Sequence, residues 1–400
     1  MSLLPVNDAL AAILKRVSAP REQTILLREA NGRVLRQPLI AQHDQPPFNA
    51  SAMDGYAVRA SDIVDGHSLR VAGVSQAGSG LSGDLGPGEA VRIFTGAPVP
   101  VGADTVIMQE EAIRQGDRVQ FSVEPRPGHS IRPQGSDFAR GQLLLAAGTL
   151  LMPMQIALAA TANANELVVA KRPRIALLAT GDELVLPGDI LGLDQIVASN
   201  SFGLAPLLAP YADVITDHGL VGDKKADLAA RLKQILDDEP DLVITTGGAS
   251  VGDHDFVQEI LVSLGVKVEF WRINMRPGKP LMFGTLGKTM IFGLPGNPVS
   301  AMVTAIVFIK PALRHLLGYN GHSSWFLPLA APTPPNTARR HFMRAQLIQT
   351  ETGPQALPIL QTDSGNTSSL AKADLLIVQP EHDPGQARGT LVETIPFNLF

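Results

Sequence analysis

The sequence contains no cysteine, which excludes disulfide bonds, thiolate metal sites and cysteine nucleophiles. Charged residues make up only 18% of the chain and the net charge is −5, so a broad nucleic-acid-binding surface is not expected. Hydrophobic residues make up 45% of the 400 residues. A chain of this size exceeds what one hydrophobic core supports, so two to four well-packed domains are expected.

Three further features are missing. The G-x-x-x-x-G-K-[ST] motif is absent, which argues against a nucleotide-hydrolysing motor. The first helix carries Asp8 and has no basic lead, so it does not resemble a signal peptide. The uncharged stretch 141–165 is long enough to span a bilayer, but Gly148 and Pro153 interrupt it. We predict two short strands and a helix there, and hence a cytoplasmic protein with no membrane partner.

The pattern of apolar residues divides the chain into five successive segments. An amphipathic helix opens residues 1–40, and helix resumes in 138–172 after a segment, 41–137, in which short β-like runs alternate with Gly and Pro turns. Residues 173–320 alternate strand and helix patterns, which predicts a mostly parallel sheet covered by helices. Turn-rich residues and short strands in 321–400 predict a small β domain. The fold class is therefore multidomain α/β plus β.

The most informative segment is 241–255, which reads as a buried strand, a glycine-rich turn and acidic residues that open a helix. Gly247 and Gly248 allow a sharp turn and a close approach to a ligand. The free N–H groups at a helix start favour an anion. A ligand that carries phosphate is the first interpretation, with Thr246 and Ser250 as polar members of the same loop.

Two other loops follow predicted parallel strands and carry Glu183 and Asp223. In open parallel sheets, ligands bind beyond the carboxyl ends of the strands. Together with Asp255, these carboxylates could hold Mg²⁺, which prefers oxygen ligands and usually keeps waters. Asp223 has an alternative role as the N-cap of the helix that starts at Lys224, and Asp255 is similarly ambiguous.

Cationic residues lie on one short turn, Arg276-Pro-Gly-Lys279, whose spacing suits anion capture, although a solvated turn is the alternative. Further on, Asn297 and Pro298 form a good start signal for a long apolar helix, with Asn at the cap and Pro at the first helical position.

Two motifs suggest other functions. Residues 78–83 match G-x-G-x-x-G, but no helix can start in the Gly- and Pro-containing segment that follows, so a surface turn is predicted. Residues 248–252 match the G-x-S-x-G nucleophile elbow, with Ser250 as the serine. A serine hydrolase is thus a rival interpretation, but it leaves the acidic loop at Glu183 without a role.

Several segments together resemble the MoeA-type molybdopterin molybdenumtransferases and the related C-terminal domain of gephyrin. The most specific are MDGYA at 53–57 and LPGNP at 294–298. The others, in family order along the chain, are 46–52, 93–104, 131–137, 180–184, 247–252, 276–280 and 299–300. Residues 368–371 match more weakly.

The resemblance implies four domains: a split helical domain (1–40 and 138–172), an inserted β domain (41–137), a molybdopterin-binding α/β domain (173–320) and a C-terminal β domain (321–400). It implies a homodimer whose cleft is shared by the insert of one subunit and the α/β domain of the other. The implied reaction inserts molybdate into adenylated molybdopterin, with Mg²⁺ as cofactor and release of AMP.

By motif match, the resemblance also implies functional residues. The implied catalytic positions are Asp54, Thr95, Asp137, Glu183, Asp223 and Asp255. Substrate-binding positions are expected at Arg132, Thr246, Gly247, Gly248, Ser250, Arg276, Lys279, Pro295, Asn297 and Pro298. Metal ligands are expected among Glu183, Asp223 and Asp255.

Other functions remain to be weighed against this expectation. A molybdopterin adenylyltransferase shares the α/β domain, but the insert and the C-terminal part favour the molybdenumtransferase, with an adenylyltransferase as its possible substrate donor. A gephyrin-like scaffold lacks support, because the sequence has no long linker or second adapter domain.

Overall fold

The computed structural model describes residues 3–64, 67–124, 126–248, 256–321, 324–361 and 363–397. Ser250 and Asp255, both predicted site residues, lie outside the described residues. The predicted fold class is confirmed: sheets and helices form several domains around a central α/β unit.

The first and third segments of the chain fold together. Their elements are α1 (Val6–Arg16), β1 (Glu22–Leu26), β2 (Arg33–Val34) and β3 (Leu39–Ile40), and then β12 (Leu143–Leu145), β13 (Leu150–Leu151), α2 (Pro153–Thr161) and β14 (Glu166–Ala170). The antiparallel pairs β1–β14, β2–β13 and β3–β12 join the two segments. The uncharged stretch thus forms the two short strands and the helix that its Gly and Pro breaks predict.

Helix α1 belongs to a different core from the strands that follow it. Its apolar face, Val6, Ala9 and Ile13, is buried in the core of the central α/β domain. The amphipathic spacing predicts this helix but does not indicate which neighbour covers it.

The insert is built on one six-stranded sheet in the order β8-β5-β7-β6-β10-β9. Its strands are β4 (Ala50–Ser51), β5 (Gly55–Val58), β6 (Leu69–Ser75), β7 (Glu89–Ile93), β8 (Thr105–Met108), β9 (Ala112–Gln115), β10 (Arg118–Phe121) and β11 (Ile131–Arg132). β4 and β11 pair with each other outside the sheet. Residues 78–83 form a turn with positive φ at Gly78 and Gly83 and no helix after it, as predicted.

The central domain contains a six-stranded sheet in the order β18-β15-β19-β23-β22-β20. Its strands are β15 (Arg174–Thr180), β18 (Val214–Val221), β19 (Leu242–Thr246), β20 (Lys267–Arg272), β22 (Pro280–Leu286) and β23 (Thr289–Leu294), beside the short β16 (Leu184–Val185), β17 (Ile196–Val197) and β21 (Met275–Arg276). The first four strands in the sheet order run parallel, and β22 pairs antiparallel with both β23 and β20.

Helices cover both faces of this sheet. They are α3 (Asn200–Leu208), α4 (Lys225–Asp237), α5 (Phe256–Ser263), α6 (Pro298–Thr304) and α7 (Lys310–Leu317). Leu177 and Ile244 face one core with α3, α6 and α7, whereas Leu178 and Val243 face the other with α4 and α5. This burial on both faces explains why the parallel strands read as continuous apolar runs.

Helices α6 and α7 are joined by the π-helical turn Ala305–Ile309 into one helix, Pro298–Leu317. Among the described residues it alone is long and apolar enough to cross a membrane, and 83% of its most apolar window is buried in the protein. That burial is typical of a core helix.

The last part of the chain is a β domain, as expected. It contains β24 (Trp325–Pro328), β25 (Arg340–Thr350), β26 (Gly353–Pro358), α8 (Thr367–Leu370), β27 (Leu375–Gln379) and β28 (Leu391–Pro396). Strand β21 of the central domain pairs in parallel with β25, so the turn after β21 lies beside this domain.

Candidate functional site

Four loops meet at one edge of the central sheet. Because β15, β18, β19 and β23 are parallel neighbours, their carboxyl ends lie side by side. The loops that follow them are 181–183, 222–223, 247–248 and 295–297. The sequence predicted the convergence of the first three, and the structure adds the loop that contains Pro295 and Asn297. We call this region the strand-end site.

Glycine is required in the loop after β19. Gly247 has φ +87°, and a Cβ there would lie 2.1 Å from the Thr180 carbonyl oxygen. Gly248 has φ +60°, and its Cβ would lie 2.4 Å from a methyl group of Val257. A Cβ at Gly296 would approach the Cα of Gly247 to 3.5 Å, so the loops after β19 and β23 are in contact. The backbone itself therefore forms the wall of the strand-end site.

Acidic residues lie at the same edge. The Asp182 carboxylate accepts a hydrogen bond from the Asp223 N–H at 2.9 Å, which ties the loops after β15 and β18 together. The Glu183 carboxylate folds over Gly181, where a Cβ would lie 2.5 Å from Oε2. Sequence reasoning missed Asp182, although it precedes Glu183 in the same turn.

The alternative role of Asp223 as a helix cap is wrong. Helix α4 begins at Lys225 with Lys224 as its N-cap residue, and no side chain caps it. Because the helix begins one residue later than predicted, Asp223 precedes the N-cap position and does not cap the helix. Its carboxylate has no hydrogen bond or ion pair within the described residues, so it is available to a ligand.

Two threonine hydroxyls and two asparagine amide oxygens that lack hydrogen-bond partners within the described residues are buried around the strand-end site. They are Thr180 Oγ1, Thr245 Oγ1, Asn200 Oδ1 and Asn297 Oδ1, none of which has a hydrogen-bond partner in the described part of the chain. Asn200 Nδ2 donates to the Gly296 carbonyl at 2.8 Å, which fixes that side chain. Because a buried polar group without a partner costs about 1–3 kcal/mol, this concentration indicates a ligand site.

Asn297 occupies the predicted N-cap position of α6, and Pro298 is the first helical residue, but the Asn297 side chain does not cap the helix. Thr246 is buried beneath the glycine loop at 4% exposure. The sequence contains no clear signal for Asn200, whose partner lies 96 residues further along the chain.

The described residues do not include a cluster of three His, Cys, Asp or Glu side chains arranged to hold a metal ion. Of the predicted metal ligands, Glu183 and Asp223 lie at the strand-end site, and Asp255 is outside the described residues. The three-carboxylate site remains a prediction.

In the insert, Asp54 and Thr95 form a directly bonded pair. Asp54 Oδ1 accepts hydrogen bonds from the Thr95 N–H and from the Thr95 hydroxyl, each at 2.7 Å. These bonds, the backbone N–H first, hold the pKa of the Asp54 carboxyl below its usual value, and the Arg92 charge adds a smaller effect. Gly55 is required after Asp54, since a Cβ there would lie 1.9 Å from the Ile107 carbonyl. Asp54 is thus held ionised and pointing at Thr95.

The other predicted residues of the insert, Arg132 and Asp137, lie in its last residues along the chain. Arg132 lies in β11 opposite Ala50 in β4, and the Asp137 N–H donates to the Gln45 carbonyl at 2.9 Å. Ser51 of β4 bonds to the loop after Thr95. Its carbonyl accepts from the Gly96 N–H, and its N–H donates to the Ala97 carbonyl. Arg132 is therefore one strand away from the Asp54–Thr95 loop.

A cationic cleft of about 320 Å³ lies between the central and C-terminal domains. Its side chains with hydrogen-bonding groups are Arg276, Lys279, Ser300, Arg339, His341 and Ser364. None of the lining residues is acidic. The glycine of the turn is needed because a Cβ at Gly278 would lie 2.5 Å from the Thr304 methyl group.

His341 is neutral in this cleft. Burial, followed by the charge of Arg276, lowers the pKa of His341 to about 4. His341 Nδ1 lies 3.1 Å from Arg276 Nη2 and 3.3 Å from Gln379 Oε1. Burial and the neighbouring Arg339 lower the pKa of Arg276 itself. Positive charges held close together favour binding of an anion.

Within the described residues, no hydrogen bond joins the Asp54 or Thr95 side chain to the strand-end site of the same chain, and both side chains bond to each other inside the insert. In the described part of the chain, no hydrophobic cluster of buried residues contains members of both the insert and the central domain. The predicted catalytic residues thus fall into two groups.

Family models match nearly the whole chain. The MoeA N-terminal region (domain I and II) matches residues 4–163, a probable molybdopterin-binding domain matches 176–315, and the MoeA C-terminal region (domain IV) matches 327–397. The molybdopterin molybdenumtransferase of Haemophilus influenzae is 37% identical over 328 residues, which cover 82% of this chain and 80% of that protein. The chain belongs to the MoeA family of molybdopterin molybdenumtransferases.

Other members of the family match this chain over nearly its full length. The molybdopterin molybdenumtransferase of Staphylococcus aureus is 30% identical over 403 residues, covering 98% of this chain and 95% of that protein. The crystal structure of the molybdopterin biosynthesis MoeA protein from Pyrococcus horikoshii covers 100% of both chains, with a TM-score of 0.84 and 29% identity. Matches to the N- and C-terminal MoeA regions favour this family over the adenylyltransferase and serine hydrolase alternatives.

Proposed function

We propose that the protein inserts molybdate into adenylated molybdopterin and releases AMP, which completes the molybdenum cofactor. The observation that carries this proposal is the adjacency of two sites suited to two anionic substrates. The strand-end site includes Asn297 at the start of helix α6, and the cationic cleft includes Ser300, one helical turn later. Two substrates bound there would lie beside each other.

The adenylated pterin suits the strand-end site. Backbone N–H groups of the Gly247–Gly248 loop can hold a phosphoanhydride, which side chains larger than hydrogen would obstruct. The oxygens of Asn200 and Asn297 that lack protein partners can accept the N–H donors of a pterin ring. These groups would position the substrate, while Glu183 and Asp223 act at the phosphate.

Mg²⁺ fits this arrangement as a shared ion. In nucleotide sites it is usually bound by one or two carboxylates together with substrate phosphates and water. Glu183 and Asp223 would hold it, and the hydrogen bond between Asp182 and the Asp223 backbone keeps that loop in place. The ion would neutralise charge on the phosphoanhydride.

Molybdate suits the cationic cleft, because it is a small oxyanion with two negative charges. Arg276, Lys279 and Arg339 supply positive charge, and Ser300 and Ser364 supply hydroxyl donors. Neutral His341 contacts Arg276 at 3.1 Å and contributes no charge of its own to the cleft.

We further propose that two copies of the chain form each complete site. In the described part of the chain, the Asp54–Thr95 pair has no hydrogen bond to its own strand-end site, and an insert from a second copy would bring the pair there. The adenylated substrate must come from an adenylyl-transferring enzyme, and a molybdopterin adenylyltransferase is the donor that this chemistry requires.

Removal of the two cations of the turn tests the molybdate assignment. An Arg276→Ala, Lys279→Ala double variant is expected to raise the molybdate concentration for half-maximal AMP release by about 10-fold or more. The reason is that a hydrogen bond to a charged group contributes about 1.5–3 kcal/mol, and about 1.4 kcal/mol corresponds to a factor of ten. The measurement is AMP release against molybdate concentration at saturating adenylated molybdopterin.

A Lys267→Ala, Lys288→Ala variant is the control for loss of positive charge, because it removes two cations of the central domain, both exposed, and leaves the cationic cleft intact. An unchanged molybdate dependence in the Arg276, Lys279 variant would reject this cleft as the molybdate site.

Thr95→Val is expected to move the acidic limb of the pH–rate profile to higher pH. Valine removes the hydroxyl bond to Asp54 but keeps the backbone bond, so the lowered pKa of Asp54 rises towards its ordinary value. As pH falls, Asp54 then becomes protonated sooner, and activity that needs the carboxylate is lost at a higher pH. The measurement is a profile of kcat between about pH 3 and 7, which brackets the ordinary aspartate pKa of about 3.9. A limb that did not move would contradict the role of Asp54.

A further inference from the structure

We propose that Arg92 is a positioning residue that holds the Asp54–Thr95 pair in its working geometry. The inference rests on the proposed function, because it assumes that Asp54 acts in the reaction. Arg92 lies in β7, in register opposite Tyr56 of β5, and is half-buried beside the predicted catalytic loop.

The guanidinium bonds to both chain segments that fix the Asp54 backbone. Nη1 donates to the Gly55 carbonyl at 3.0 Å, directly after Asp54. Nη2 donates to Gln109 Oε1 at 2.5 Å. Gln109 is the residue whose N–H donates to the Asp54 carbonyl at 3.0 Å. Arg92 therefore connects Gly55, the residue after Asp54, with Gln109, which directly follows strand β8 and bonds to the Asp54 carbonyl.

The same guanidinium also contacts the segment that carries Thr95. Its central carbon lies 4.8 Å from the centre of the Phe94 ring, and Phe94 directly precedes Thr95. The same carbon lies 5.2 Å from the centre of the Tyr56 ring. Tyr56 is buried in the insert core at 5% exposure. Cation–π contacts of this kind contribute about 0.5–2 kcal/mol and restrain the flat guanidinium.

Arg92 does not act as the ion-pair partner of Asp54. It forms no ion pair with any carboxylate of the described residues, and Thr95 alone supplies the side-chain bonds to Asp54. Its contacts reach Gly55, Gln109 and Phe94, which are the three immediate supports of the pair. A planar donor that stacks and bonds to two acceptors at once explains why arginine suits this position.

Two substitutions test this role. Arg92→Lys keeps the charge but cannot stack and bond both acceptors, and Arg92→Ala removes every contact. We expect kcat for AMP release to fall by about 10- to 100-fold in both, because a displacement of a catalytic group by about 1 Å costs up to about 100-fold. The half-saturating concentrations of both substrates should stay unchanged.

Arg59→Ala is the matched control for stability. Arg59 also lies in the insert and donates from Nη2 to a backbone carbonyl, that of Leu85 at 2.9 Å, without contacting the supports of Asp54. Its variant should show a shift of Tm similar to that of Arg92→Ala but wild-type kcat. If Arg59→Ala lowers kcat as much as Arg92→Ala does, the effect is one of general stability and the inference is wrong.

A double-variant cycle separates this inference from the proposed function. If Arg92 acts through Asp54, the Asp54→Ala, Arg92→Ala variant should be no slower than Asp54→Ala alone. Losses that multiply, or a raised half-saturating concentration that persists without Asp54, would show that Arg92 contacts substrate directly and would overturn the inference. Wild-type turnover in Asp54→Ala would instead overturn the proposed role of Asp54 and the inference with it. A slow Asp54→Ala together with a fully active Arg92→Ala overturns the inference alone.

Discussion

Alanine in place of Glu183 or of Asp223 is expected to lower the turnover for AMP release by about 10²–10⁴, the range for loss of an acid–base group. Both residues follow parallel strands at the strand-end site, next to a glycine loop that suits a phosphoanhydride. The Asp223 carboxylate has no protein partner in the described residues, so its removal should leave the fold intact. The measurement is single-turnover AMP release, with thermal unfolding as the check on folding.

Asp227→Ala provides the control, because Asp227 lies in the first turn of α4 close to Asp223 and is exposed. It should keep wild-type turnover. Asp255→Ala carries the same expectation as the two site variants on the strength of the sequence. Release of AMP at the wild-type rate by folded Glu183→Ala and Asp223→Ala proteins would remove these carboxylates from the mechanism.

The central sheet was predictable because burial leaves a direct signature in the sequence. Residues 173–320 were predicted to alternate strand and helix in a mostly parallel sheet, and β15, β18 and β19 are parallel neighbours in that sheet. Parallel strands covered on both faces must be apolar throughout, and Gly or acidic loops end them sharply. The loops could be placed at one edge for the same reason, since parallel neighbours end on the same side.

The cationic cleft was only half predictable. Arg276 and Lys279 stand out on a Pro-Gly turn, but His341 is 65 residues from its partner Arg276. Arg339 and Ser364 likewise come from the C-terminal domain. Their local sequence contains no pattern that indicates an anion, because the site arises only when β21 pairs with β25. Contacts between residues that are distant along the chain produce no periodic pattern in the sequence, so they could not be predicted from it.

The role of Asp223 shows a different limit. An acidic residue beside a helix start predicts a cap by its local propensity. In the structure the helix starts one residue later than expected, and the carboxylate is left without a partner. Asp182, which sequence reasoning passed over, bonds to the Asp223 backbone instead. Local preference thus identifies which residues are candidates, and the exact start of the helix decides their role.

The proposal that two copies of the chain share each site predicts a second large effect. Asp54→Ala and Glu183→Ala chains are each expected to be nearly inactive alone and to regain activity when mixed. In a hybrid dimer, the insert with Asp54 from one chain meets the α/β domain with Glu183 from the other, so one site is intact. With statistical exchange about half of the dimers are hybrids and each has one good site of two, so activity should approach about a quarter of wild type for a two-fold symmetric assembly.

The matched control is a mixture of Asp54→Ala and Thr95→Ala chains. Both changes fall in the same bonded pair of the insert, so every shared site in a hybrid has one damaged insert and no recovery is expected. Native mass spectrometry of the two mixtures should show equal formation of hybrids. If hybrids of Asp54→Ala and Glu183→Ala form but activity stays at the level of the single variants, each site lies within one chain, and the insert must then reach the strand-end site of its own central domain.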